Sequence, residues 1–160
     1  MRWINNIIKF FVSYDVFISY SDSDFGKAKE IHDHLSKYGI RVFLAKISIN
    51  QGSKWKEELK SNLNNANLFL FLISLASLKS FYAVSEAGHA WLSDKDIIPI
   101  KIERKDFTKE QLQWLSDFQI SENIPQFLSQ FRKKIYWVYV KRFVSWIALV
   151  AVIIYLALKK

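Results

Sequence analysis

The sequence predicts an α/β fold: a flavodoxin-like, doubly wound parallel sheet of about five strands, followed by one C-terminal transmembrane helix. Three observations predict it. Short β-rich runs alternate with helical periodicity through residues 14–130, the pattern of right-handed βαβ units. One of those runs, residues 67–74 (NLFLFLIS), is apolar at nearly every position, as the buried middle of a parallel sheet requires. The run 143–158 (FVSWIALVAVIIYLAL) carries no charge, is apolar on every face and is bracketed by basic residues.

Each element has its own justification. Residues 14–20 (YDVFISY) read as the first strand. In residues 23–38, Phe25, Ala28, Ile31 and Leu35 recur at helical spacing, and Gly39 is a natural C-terminal stop. Residues 40–44 form a second strand and 45–52 a loop. Ser53 can cap a helix running to about residue 65, with Trp55, Leu59 and Leu63 on its apolar face. After the apolar strand, residues 81–93 read as a helix and 97–102 as a fourth strand. Residues 118–120 are a weaker candidate for a fifth. Residues 124–134 form a last helix feeding the apolar run. At the other end, Trp3, Ile4, Ile7, Ile8 and Phe11 fall at helical spacing, so residues 1–13 are expected to be a short amphipathic segment rather than a cleaved signal peptide.

Composition narrows the function. The 160 residues suffice for one ordinary domain. The chain has no cysteine, which excludes a disulfide framework, a thiolate metal site and a thiol nucleophile. The net charge of +8 suggests nucleic acid until it is localised. Residues 131–160 hold seven Lys/Arg and no acid; the remainder balances 16 basic against 15 acidic residues. The basicity therefore flanks the apolar run and points to a membrane surface, with no nucleic-acid partner expected. As a helix the run spans roughly 24 Å against a hydrocarbon core of about 30 Å. Lys141, Arg142, Lys159 and Lys160 can snorkel to cover the difference, with Trp137, Tyr139 and Trp146 near one interface. Five basic residues precede the run and two follow it, which favours a single pass with the body on the cytoplasmic side.

Several site classes are missing. There is no G-x-G-x-x-G, Walker A loop or G-x-S-x-G elbow, and four glycines cannot build a phosphate cradle. His32 and His34, two apart on a helix, do not face each other and read as surface histidines rather than a metal pair. In an open α/β sheet, ligands bind beyond the carboxyl ends of the strands, so the loops after Tyr20, Leu44 and Ser74 are the places to look.

Five segments in order resemble the Toll/interleukin-1 receptor (TIR) domain family. Asp15-Val16-Phe17-Ile18-Ser19-Tyr20 is similar to its first box, and Gly39–Leu44 to its second strand. Gly52 followed by Trp55 resembles the end of the BB loop. Ser80, Tyr82, Glu86, Gly88 and Ala90 follow the S-x-W-x-x-x-E-x-G-x-A pattern of the bacterial type, and Ile97–Ile100 its fourth strand. The resemblance covers about three-quarters of the chain and implies a TIR domain over 14–134, with 135–160 as juxtamembrane and transmembrane helix. The chain departs from the pattern at Ala45, often Asp; at Tyr82, commonly Trp; and at Ser21 and Asp22, where some NAD⁺-cleaving members carry basic residues.

The resemblance implies NAD⁺ cleavage between ribose and nicotinamide, with NAD⁺ as substrate and no cofactor or metal. The leaving group departs as a neutral pyridine, so no general acid is needed. One carboxylate beside the oxocarbenium-like ribose suffices. Glu86 is the implied catalytic residue; by itself, a glutamate on an amphipathic helix reads as a solvated surface group. Tyr20, Ser21, Trp55 and Tyr82 are the implied substrate-binding residues, although Trp55 and Tyr82 read equally well as core aromatics. His89 is expected to face solvent. Family members also self-associate through TIR–TIR contacts. Two functions therefore compete: a membrane-anchored NAD⁺ glycohydrolase in signalling or antiphage and stress defence, and a non-enzymatic adaptor. A receiver module is disfavoured, since Ser19-Tyr20 stand where its phosphoacceptor region would be.

Overall fold

The computed structural model describes residues 14–48 and 54–158. The amphipathic segment 1–13, the cap at Ser53 and the flanking Lys159 and Lys160 lie outside the described residues.

Strand β1 (Val16–Ser19) leads through a 3-10 turn (Asp22–Asp24) into α1 (Phe25–Lys37) and then β2 (Val42–Phe43). A short α2 (Ala45–Ser48) precedes α3 (Trp55–Asn65) and β3 (Leu68–Ile73). Next come α4 (Leu75–Lys79), α5 (Phe81–Leu92) and β4 (Asp96–Lys101), then α6 (Lys109–Leu112) and α7 (Ile124–Leu158). Every pairing is parallel and the strand order is β2-β1-β3-β4. The chain moves outward from β1 to β2 and then returns to β3 on the other side. The order therefore reverses between β1 and β3, which puts the crevice of a doubly wound sheet at their carboxyl ends.

The β3 sequence LFLFLI explains the two-faced core. All six residues are buried, and alternation sends leucines one way and phenylalanines the other. Leu68, Leu70 and Leu72 join Val16 and Ile18 against Ile31 and Leu35 of α1 and Ile124, Phe127 and Phe131 of α7. Phe69 and Phe71 join Phe17 and Phe43 against Leu63 of α3 and Ala83, Ala87 and Ala90 of α5. Phe17 stacks on Phe43 at 4.9 Å and on Phe69 at 5.5 Å, a ladder across three strands. The small alanines on α5 let its backbone approach this aromatic floor. Each buried apolar side chain contributes roughly 1.5–3 kcal/mol, so the layers are held mainly by these contacts. Asp15, fully buried, pairs with Arg41 (Oδ1 to a guanidinium nitrogen, 3.2 Å) and accepts from the Arg41 backbone N–H at 2.9 Å. The aspartate of the first box therefore clamps β1 to β2 at the end remote from the crevice.

The structure differs from expectation at three places. Among the described residues the sheet has four strands. The expected fifth, residues 118–120, is replaced by a single parallel bridge between Ile100 and Ser121, because Asn123 accepts from the Gln126 N–H (2.8 Å) and draws the chain into α7. The expected loop 45–52 begins as helix α2, where Ser48 Oγ accepts from the Leu44 N–H at 3.0 Å. The helix 124–134 and the apolar run form one continuous helix, α7, of 35 residues. Its first turns are buried, whereas Phe143 is 69% and Leu158 82% exposed. Among the described residues no helix is long and apolar enough to cross a membrane. The uncharged run itself is sixteen residues long.

Candidate functional site

A cavity of about 460 Å³ opens at the carboxyl end of β1. Its floor is Phe17 and Ile18. Tyr20 and Asp22 come from the chain after β1, Ala45 from the start of α2, Trp55 from the start of α3, and Ser80, Tyr82 and Glu86 from α5 and its cap. Four of the five residues expected from sequence thus meet at one cavity: Tyr20, Trp55, Tyr82 and Glu86.

Local chemistry explains their positions. Ser80 caps α5, accepting from the Ala83 N–H at 3.3 Å, which fixes where the helix starts. Tyr82 and Glu86 are four residues apart and therefore share one helix face. The adjacent face, about 90° round the helix, carries Ala83, Ala87 and Ala90 and is buried. Trp55 meets Tyr82 edge to face, with ring centroids 5.7 Å apart and planes at 89°. Trp55 is 40% and Tyr82 57% exposed, so both are walls of the cavity and not core aromatics. Tyr20 leans on Phe25 at 6.2 Å.

Glu86 is partly buried beside the end of β1, and burial pushes its carboxyl up from 4.5 to about 7. The Ser19 hydroxyl, hydrogen-bonded to it, works in the opposite direction and limits the rise. Ser19 is itself buried and lies 3.5 Å from the Ala83 carbonyl oxygen, a second acceptor for the same proton. Near neutrality Glu86 is therefore poised between its two states. When a cationic group enters the cavity, the carboxylate is favoured and attracted to it.

Ser21 does not line the cavity. It is buried, shares a hydrogen bond with Ser23 Oγ at 2.9 Å and donates to Asp24 Oδ2. Ser74, after β3, donates to the same Asp24 oxygen. Asp24, accepting from both serines, thus ties together the two loops that flank the strand-order reversal, and Ser21 fixes Tyr20 and Asp22 on either side of itself. His89 bonds through Nε2 to Asn64 Oδ1 at 2.7 Å, a solvent-accessible link between α5 and α3. His32 faces Asp33 (2.9 Å) and His34 the Tyr38 ring (5.3 Å).

A family model for the TIR domain matches residues 16–133. The chain belongs to the TIR domain family. The matched segment of this TIR domain contains every residue that lines the cavity. Among solved structures, the TIR domain of the Toll-related receptor TRR-2 from Hydra magnipapillata matches with a TM-score of 0.57 at 18% identity, over 82% of this chain and 98% of that one. At that identity the likeness speaks to the fold alone. No curated protein matches the chain.

Two residues of the TIR site, Ser19 in contact with Glu86 and Asp22 on the cavity wall, escaped sequence reading as site residues. Ser19 is the one polar side chain in an otherwise apolar strand, and its place at the carboxyl end of β1 was the available signal. Asp22 stood out only as a departure from the family pattern, yet it lines the cavity.

Proposed function

We propose that the protein is a membrane-anchored NAD⁺ glycohydrolase that breaks the bond between ribose and nicotinamide, with Glu86 as the carboxylate beside the reacting ribose. The observation that carries the reading is the partly buried Glu86 carboxylate opening onto a cavity walled by Trp55 and Tyr82. The nicotinamide ring would lie against these aromatic walls. As the bond lengthens, its electrons pass to the departing pyridine nitrogen, and positive charge develops on the ribose. An ionised Glu86, accepting from the ribose hydroxyls, would stabilise that charge. Water or another hydroxyl then takes the anomeric carbon and loses a proton, giving ADP-ribose or a cyclic variant. The output would serve signalling or antiphage and stress defence.

The anchor in this reading is the exposed end of α7, residues 143–158, with the body on the cytoplasmic side. The uncharged run is slightly short for a bilayer, and the flanking lysines and Arg142 would reach the interfaces. A planar membrane would concentrate the domains and favour TIR–TIR contacts, which in turn could complete the site from a neighbour.

The alternative is a non-enzymatic adaptor. It is favoured by the apolar side chains that α5 leaves in solvent, with Phe81 79%, Trp91 61% and Leu92 82% exposed. Incubating the purified full-length protein with NAD⁺ and measuring free nicotinamide separates the two. Release that requires Glu86 supports the enzyme, and no release at any protein density supports the adaptor.

A further inference from the structure

A second groove, of about 310 Å³, runs between α3 and α5. It shares Trp55, Tyr82 and Glu86 with the first cavity, so the two meet along the Trp55–Tyr82 pair. We propose that this groove takes the diphosphate–adenosine arm of the dinucleotide whose nicotinamide end occupies the first cavity. The proposal rests on NAD⁺ cleavage as the function and adds where the rest of that substrate lies.

Three features support it. First, the cavity beside Glu86 continues into the groove through shared residues, and a dinucleotide carries a second nucleoside and two phosphates that need a place beyond the reacting ribose. Second, Lys56 and Lys60 line the groove. Four residues apart on α3, they form one face, with Leu59 between them, and present a pair of cations along the groove. Neither forms an ion pair among the described residues. The acidic neighbours Glu57 and Glu58 do not line the groove. A diphosphate is the group that two adjacent lysines match in charge. Third, Phe81 lines the same groove, 79% exposed and edge to face with Tyr82 at 5.9 Å. It offers a free aromatic face on which a purine can stack.

The order of contacts follows from the layout. Glu86 lies on both cavities, so the ribose next to nicotinamide sits at their junction. The diphosphate then meets Lys60 and Lys56 on α3, and the adenine reaches Phe81, at the Trp55–Tyr82 end of the groove. Lys56 and Lys60 are binding residues here, remote from the reacting bond. Their loss should weaken substrate capture without altering the chemical step.

The test is steady-state kinetics of the full-length protein and its Lys56→Gln/Lys60→Gln double variant, with two substrates. One is NAD⁺; the other is nicotinamide riboside, which keeps the scissile bond and lacks phosphate and adenosine. The double variant should raise KM for NAD⁺ on the order of tenfold, the modest effect expected of two solvent-accessible charge contacts, and leave kcat nearly unchanged. Its kinetics on the riboside should match wild type. Phe81→Ala should act in the same direction on NAD⁺ alone. An unchanged KM for NAD⁺ in an active double variant would overturn the groove assignment and leave NAD⁺ cleavage intact. A kcat loss shared by both substrates would also overturn it, because the lysines would then be acting on the cavity itself. A wild type that cleaves neither substrate would overturn the cleavage reading and the groove with it.

Discussion

Replacing Glu86 with Gln removes a charge that the structure holds at a cost, so the substitution should act on activity and stability in opposite directions. The carboxyl titrates near 4.5 when the chain is unfolded and at about 7 when folded. Between those values the folded protein binds more protons than the unfolded one, so stability falls as pH rises through that window and is level above it. The shift corresponds to about 3 kcal/mol at pH 8 and less than about 1 kcal/mol at pH 5. Gln keeps the shape and accepts the Ser19 hydrogen bond but never ionises. Glu86→Gln should therefore raise the melting temperature by about 5–10 °C at pH 8 and by little at pH 5. Nicotinamide release should fall by about 10²–10³-fold, the loss expected when a preorganised electrostatic contact is removed. Calorimetric melts of both proteins at the two pH values, paired with a nicotinamide assay, check each half. A melting temperature that rises equally at both pH values, or falls at pH 8, would refute the reasoning from burial. An equally active variant would remove Glu86 from the chemistry.

Further expectations follow from the same geometry. In the proposed reaction only an ionised carboxylate would stabilise the ribose cation, so kcat/KM should rise with pH and level off above about 7; the limb in kcat should lie lower, since bound cationic substrate favours the carboxylate. Ser19→Ala removes the hydrogen bond that holds the Glu86 carboxyl down, so the kcat/KM limb should move to higher pH, with Ser19→Thr restoring it. A chain ending at Lys134 keeps Phe131, which packs on Phe127 at 5.0 Å in the core. It should fold and remain soluble, while the full-length chain sediments with membranes; recovery of the full-length chain in the soluble fraction would contradict the anchor.

The parts of the fold that sequence periodicity revealed are those where one residue type repeats at one spacing. The Leu/Phe alternation of β3 and the helical repeat Ala28, Ile31 and Leu35 are cases in which burial by itself dictates the element. Short elements carry no such signal. Helix α4, five residues long, depends on the reciprocal capping of Ser74 and Ser77, and neither serine differs in pattern from a loop serine. The fifth strand failed for a related reason. Residues 118–120 are apolar enough, but the Asn123 cap three residues on competes for the chain. At the site, motif position identified Glu86 and Tyr82, because a four-residue spacing on a helix is a statement about geometry. The choice between Ser19 and Ser21 was not legible. Two residues apart, the serines would share one face of an extended strand, and only the folded chain decides that Ser19 meets Glu86 while Ser21, in the turn beyond β1, bonds to Asp24. The groove along Lys56 and Lys60 was hidden likewise, since it exists only where α3 and α5 lie side by side.

Cleavage of NAD⁺ at a site that the membrane helps to assemble is tested most directly by nicotinamide release from the full-length protein reconstituted in liposomes over a wide range of surface densities, with Glu86→Gln measured in parallel. Release by the wild type alone is expected, with specific activity that rises as density rises. Absence of release at every density, or release that Glu86→Gln sustains equally, would contradict it.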